Sequence, residues 1–264
     1  MTIESLPTSP VDLRTLVRGG HWRKPTAGLA PGRVQANLVI LPYDQAFDFL
    51  LFCQRNPKPC PLIEVLEPGR VEAVHSAPNS DIRIDLPMYR VYRHGELVDE
   101  VKDIRTIWED NLVTFLLGCS FSFESALLSA GIPIRHIDEG KNVPMYITDI
   151  PTIAAGQFSG PLVVSMRPVA QEKVVRSVQV TSRFPSVHGA PIHIGNPEAI
   201  GIKNIDIPDY GEMVDIRNGE EPVFWACGVT PQAVAAKSKP PFMITHAPGH
   251  MFITDLLDED QAVL

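Results

Sequence analysis

Residues 161–182 read Pro161-Leu-Val-Val-Ser-Met-Arg-Pro-Val-Ala-Gln-Glu-Lys-Val-Val-Arg-Ser-Val-Gln-Val-Thr-Ser182. The apolar run 161–166 predicts a buried strand. A helix is expected over 168–177, with Pro168 in its first turn, where a missing N–H costs nothing. A second strand is expected over 178–182. This strand–helix–strand unit points to an α/β protein.

Outward from that unit, 143–148, 223–226 and 242–245 predict further strands, and 230–237 a helix capped by Thr230. Residues 8–18 predict a helix: Thr8 or Ser9 precedes Pro10, and Gly19-Gly20 follows. An apolar run over 35–41 precedes a helix over 43–54. Short strands are expected at 62–66, 82–85, 89–93 and 96–101, with a hairpin turn at His94-Gly95. Helices are expected over 106–117 and 122–130, the second capped by Ser122. The acidic tail 257–264 is expected to be loose. The division that follows is a smaller inserted domain at 118–185, with 1–117 and 186–264 pairing to form the larger one.

Composition narrows the function. The chain has 264 residues, a net charge of −8 and 44% hydrophobic residues. That is enough apolar material for a large core without a disulfide framework. The acidic balance, without a basic tract, argues against nucleic-acid and anionic-membrane partners. No apolar run approaches the length of a membrane span, and Met1 to Pro10 lacks the pattern of a secretory signal. Cys53, Cys60, Cys119 and Cys227 show no metal-site spacing. They are expected to be reduced thiols in a cytoplasmic protein. The 25 prolines are about twice the usual share of 5% and indicate many stiff loops.

Reactive side chains concentrate in those loops. Residues 117–124 carry Cys119, Ser120, Ser122 and Glu124 ahead of a helix. Its N–H groups could bind a carboxylate or lower the Cys119 pKa, or Ser122 could simply cap it. Ser165 and Arg167 lie at the end of an apolar strand, where an arginine suits a substrate carboxylate or a surface salt bridge. The loop 181–195 holds Arg183, His188 and His193, and 245–255 holds His246, His250 and Asp255. These histidines could serve as acid and base or, with Asp255, ligate a divalent metal. Residues 224–231 run from a strand into Cys227, Gly228, Val229 and Thr230 at a helix start, a shape that suits a nucleophile or an oxyanion pocket.

Taken in order, these motifs resemble the D-glutamate cyclase family, long described as a domain of unknown function or as hydro-lyases. The resemblance rests on Gln35-Ala-Asn-Leu, Asp48-Phe-Leu-Leu-Phe-Cys-Gln-Arg-Asn-Pro, Cys119-Ser-Phe-Ser-Phe-Glu, Asn142-Val-Pro-Met-Tyr and Val164-Ser-Met-Arg-Pro. It continues through Thr181-Ser-Arg-Phe-Pro, His188-Gly-Ala-Pro-Ile-His-Ile-Gly, Pro222-Val-Phe-Trp-Ala-Cys-Gly-Val-Thr-Pro-Gln and His246-Ala-Pro-Gly-His-Met. It implies a two-domain α/β fold, with a larger three-layer α/β/α domain and a smaller inserted two-layer α+β domain, and conversion of D-glutamate to 5-oxo-D-proline with loss of water, and it carries no residue roles.

Side-chain chemistry suggests the roles. Arg167 or Arg183 would anchor the α-carboxylate, assisted by Ser120, Ser165 and Thr230. His188, His246 or His250 would act as acid and base, and the N–H groups of Gly228 and Val229 would hold the oxyanion. Cys119, Cys227 or Glu124 could instead act covalently. No cofactor is specified; a divalent metal on the histidine loops is the alternative. The expected partner is a small carboxylic or amino acid, with a homo-oligomer left open. The competing classes are a non-catalytic small-acid binder, or subunit of an amide-hydrolysing assembly, and a structural metal protein.

Overall fold

A computed structural model describes residues 7–263; the sequence reading of residues 1–6 lies outside them. The chain is a mixed α and β protein with two antiparallel sheets. The larger contains β1 (Arg33–Pro42), β2 (Leu62–Val65), β3 (Tyr89–Arg93), β4 (Glu96–Val101), β5 (Leu112–Gly118), β10 (Phe242–His246) and β11 (Phe252–Leu257). Its order is β2-β5-β1-β10-β3-β4, with β11 also pairing β1. The smaller has the order β6-β7-β9-β8, from β6 (Met145–Pro151), β7 (Pro161–Ala170), β8 (His193–Ile194) and β9 (Glu220–Ala226). Strands β8 and β9 come from the segment that the sequence division gave to the flanks, and β9 pairs with β7.

Both faces of the larger sheet are buried. Successive strand residues point to opposite faces. Val39 and Leu41 of β1 therefore pack with Phe49 and Phe52 of α2 (Tyr43–Arg55), while Leu38 and Ile40 pack with Ile82, Leu86 and Tyr89. The helix α1 (Pro10–Arg18) starts and stops where its proline and glycines indicate, and Leu13 and Val17 lie against Trp22 and Ile253. His94 and Gly95 both take positive φ, +50° and +79°, as the β3–β4 hairpin turn requires.

Four local expectations are corrected. Residues 112–118 form strand β5 rather than the end of a helix; all seven are buried between β1 and β2. A strand covered on both faces reads as an unbroken apolar run, which periodicity cannot distinguish from a buried helix. Residues 82–85 form a turn, held by the Asp85 carboxylate accepting from Asp81 N at 2.8 Å.

The third correction concerns 161–182. Strand β7 runs on to Ala170, a single 3-10 turn follows, and α5 occupies Val174–Ser182, where the second strand was expected. Pro168 is tolerated because β6 pairs with β7 only as far as Ser165, so Pro168 lies on an open edge. Fourth, the described part of the tail is packed: Asp258 N donates to Gly32 O at 3.0 Å and Val263 N to Arg183 O at 2.7 Å. Among the described residues no helix is long and apolar enough to cross a membrane.

Candidate active site

The strand alternation of β7 places Ser165 and Arg167 on one face. A 3-10 turn at Ser120–Phe123 leads from the end of β5 into α3 (Glu124–Ser129) and brings Ser120 and Glu124 to the same point. Arg167 is 1% exposed there. Its Nε donates to Glu124 Oε1 at 3.0 Å, and its Nη2 donates to the same oxygen at 2.5 Å. Nη1 donates to Ser165 Oγ at 3.1 Å and Nη2 to Ser120 Oγ at 3.0 Å. The rings of Phe123 and Trp225 flank the guanidinium at 5.4 and 5.5 Å. A charge this deep is tolerated only when paired. Burial alone would raise the Glu124 carboxyl, but Arg167 and then His136 outweigh it and hold it below the usual carboxylate range.

The two candidate thiols lie beside this network and share an apolar cluster with Val143, Met145, Val163 and Met251. Burial pushes Cys119 far above the thiol range and Cys227 up to about 11. The expected lowering of the Cys119 pKa is therefore overturned. The sulfur accepts from Phe121 N at 3.5 Å, and that single contact is smaller than the cost of burying a thiolate. Both residues are thiols at neutral pH. Ser122 is not a helix cap: its Oγ accepts from Gln35 N at 3.0 Å. Thr230 accepts from Val163 N at 3.1 Å and donates to Cys227 O at 2.7 Å, tying α6 (Thr230–Ser238) to β7. The Val229 amide faces the Cys227 sulfur, and Gly228 is packed against Asn37.

The histidines separate. His188 is buried with φ +84°. Its Nδ1 lies 2.7 Å from Lys58 O, and a carbonyl only accepts, so Nδ1 carries the proton and the buried Nε2 is an unpartnered acceptor. Burial, with Arg167 assisting, lowers this imidazole to about 4. His246 sits where β10 and β11 part from β1, and its Nδ1 lies 3.2 Å from Leu38 N and 3.3 Å from Leu38 O. The amide N–H must donate, which makes Nδ1 the acceptor and Nε2 the N–H, buried without a partner. Burial lowers His246 to about 3, with His250 and Arg90 adding to the effect. His250 donates from Nδ1 to Pro248 O at 3.0 Å, and burial lowers its pKa too. His193 contacts Asn196 O at 2.7 Å on an exposed edge, and Asp255 is held by Arg14.

Arg183 lies apart from Arg167, exposed at the end of α5 beside Arg176 and Asp258. Among the described residues no three His, Cys, Asp or Glu side chains converge as a metal-binding group.

Three participants were not singled out in the sequence. His136, in the short helix α4 (Arg135–Asp138), puts Nε2 3.2 Å from Glu124 Oε1, outside hydrogen-bond alignment. Asn37 donates to Gly118 O at 2.6 Å, and Asn142 donates from Nδ2 to Pro248 O at 3.0 Å, leaving its Oδ1 buried and unpartnered. An amide inside an otherwise apolar strand, as at Asn37, was the available signal. Asn142 and His250 line a cleft of about 430 Å³, together with Arg90, Glu100, Asp209 and Tyr210.

Comparison with known proteins agrees with this arrangement of motifs. A family model described as D-glutamate cyclase matches residues 113–255. A protein of Geobacillus kaustophilus, named "Putative hydro-lyase", is 64% identical over 258 residues, 98% of each chain. A relative of the same name from Stutzerimonas stutzeri is 62% identical over 97% of each chain. One from Bacillus subtilis is 61% identical over 97% of this chain and 100% of its own. The chain belongs to the D-glutamate cyclase family.

Proposed function

We propose that this protein is a carbon–oxygen lyase acting on a small carboxylic acid, and that its reaction is the dehydrating cyclisation of D-glutamate to 5-oxo-D-proline. The names of its relatives support the lyase class. The observation that carries the chemistry is the histidine on the cleft wall: His250 lines the cleft, and burial lowers its pKa so that it is neutral at pH 7.

In this reading the α-amine attacks the γ-carboxyl carbon, a C–N bond forms, and a C–O bond breaks. The ammonium gives up two protons in becoming the lactam N–H. The departing γ-oxygen takes up two and leaves as water, so the enzyme returns unchanged. A neutral His250 moves these protons. The buried Arg167–Glu124 pair holds the 119–124 and 164–168 segments in place. A substrate carboxylate could reach Arg167 only by displacing Glu124.

The test is incubation of purified protein with D- and L-glutamate, with and without divalent metal, followed by mass spectrometry for loss of one water. Product from D-glutamate that disappears in His250→Ala supports the reading. No product from either isomer refutes the cyclase reaction.

A further inference from the structure

We infer that the cleft bounded by Arg90, Asn142, Asp209 and Tyr210 is a binding site for the zwitterionic head of an α-amino acid, with Arg90 taking the carboxylate and Asn142 and Asp209 taking the ammonium. The inference rests on the cleft being the substrate site and adds the residues that select an α-amino acid there.

Arg90 is oriented for such a contact. Its Nε donates to Glu100 Oε1 at 2.7 Å, its Nη1 donates to Gln232 Oε1 at 3.3 Å, and the guanidinium lies 5.9 Å from the Tyr210 ring centre. Gln232 is itself fixed: its Oε1 accepts from Tyr92 OH at 3.1 Å, and its Nε2 donates to His246 O at 2.8 Å. Among the described residues Nη2 has no hydrogen-bond partner, so one edge of a side chain clamped on two sides is left for an anion.

The ammonium side is equally specific. Asn142 is 9% exposed, and its side-chain orientation is set by Nδ2 donating to Pro248 O. Its Oδ1 is therefore an acceptor buried without a donor, a costly arrangement that an N–H from a ligand would relieve. Asp209 accepts from Ile147 N through Oδ2, which leaves Oδ1 for a cation. The charged groups on the wall are one cation, Arg90, and three carboxylates, Glu100, Asp209 and Glu212. A ligand with carboxylates and no amine meets net repulsion there. Gly249 permits this floor, since a Cβ on it would lie 2.3 Å from Asn142 Oδ1.

The experiment is calorimetric titration of the purified chain with three ligands. They are D-glutamate, glutarate, which lacks the amine, and 4-aminobutyrate, which lacks the α-carboxylate. D-glutamate is expected to bind at least about tenfold more tightly than either, the usual loss when a charge-assisted bond is removed. Arg90→Met should weaken D-glutamate by a similar factor and leave 4-aminobutyrate unchanged, and Arg90→Lys should recover part of the loss. Asp209→Asn, on an exposed loop where folding is not at stake, should narrow the preference over glutarate. Equal binding of the three ligands, no binding of D-glutamate, or unaltered selectivity in both Arg90→Met and Asp209→Asn overturns the assignment. Selective binding without water loss would sustain this site and refute the cyclisation.

Discussion

Replacing Glu124 by Gln removes the charge that neutralises Arg167 and keeps the shape. The guanidinium then stays 1% exposed with the Ser120 and Ser165 hydroxyls and a neutral amide as its partners. Removing one member of a buried ion pair costs about 3–5 kcal/mol, because the other charge cannot reach water. For a chain of this size each kcal/mol lowers Tm by about 2–4 °C, so Glu124→Gln should melt about 6–20 °C below the parent. Arg167→Met should also destabilise, leaving the Glu124 carboxylate with His136 Nε2, 3.2 Å away, as its remaining partner. The double variant strands neither charge and should be more stable than the sum of the two losses implies, by about 2 kcal/mol or more. Urea unfolding followed by circular dichroism at pH 7 measures all four proteins. A Glu124→Gln cost below about 1 kcal/mol, or additivity within about 0.5 kcal/mol, would refute the account of a tightly coupled buried pair.

His188 is held at about 4 against an ordinary 6.5, so between those values the unfolded chain binds the extra proton. Stability therefore falls with pH through that window by about 1.4 kcal/mol per unit from this residue, and His188→Asn, which tolerates the positive φ, should remove that part of the slope in denaturant titrations at pH 7, 6 and 5. An unchanged slope would count against a buried neutral imidazole. Burial lifts Asp258 to about 7 from 3.8, so its carboxyl favours the fold fully below about pH 4, and that contribution is lost progressively as pH rises from there to 7. Asp258→Asn should accordingly raise Tm most at pH 8, less at pH 5 inside that window, and least at pH 3.5; equal effects at pH 5 and pH 8 would be the wrong result. In Gly228→Ala the new Cβ would lie 1.9 Å from Asn37 Nδ2, which donates to Gly118 O. A loss of about 1–3 kcal/mol is expected, and a parental melting temperature would show that the strand has room to move.

Features specified by neighbouring residues were legible in the sequence. Pro10 and Gly19 bound α1, the apolar spacing of 43–55 makes α2, and His94-Gly95 turns the β3–β4 hairpin. The motifs that hold Arg167, Glu124, His246 and His250 could likewise be singled out from their composition. Pairing between distant segments could not. Residues 112–118 are a strand because β1 and β2 flank them, and 178–182 are helical because β7 runs on past Pro168 beside β9. Arg167 and Arg183 looked equivalent, each beside an apolar run. The inward face of β7 buries the first against Glu124, and the end of α5 leaves the second exposed. His136, Asn37, Asn142 and Arg90 became candidates only through partners about 10 to 140 residues away in the chain. Local propensity and capping act over a few residues, so sequence determines them directly. Burial, charge pairing and the shape of a cleft depend on contacts between remote segments, and only the tertiary structure decided those.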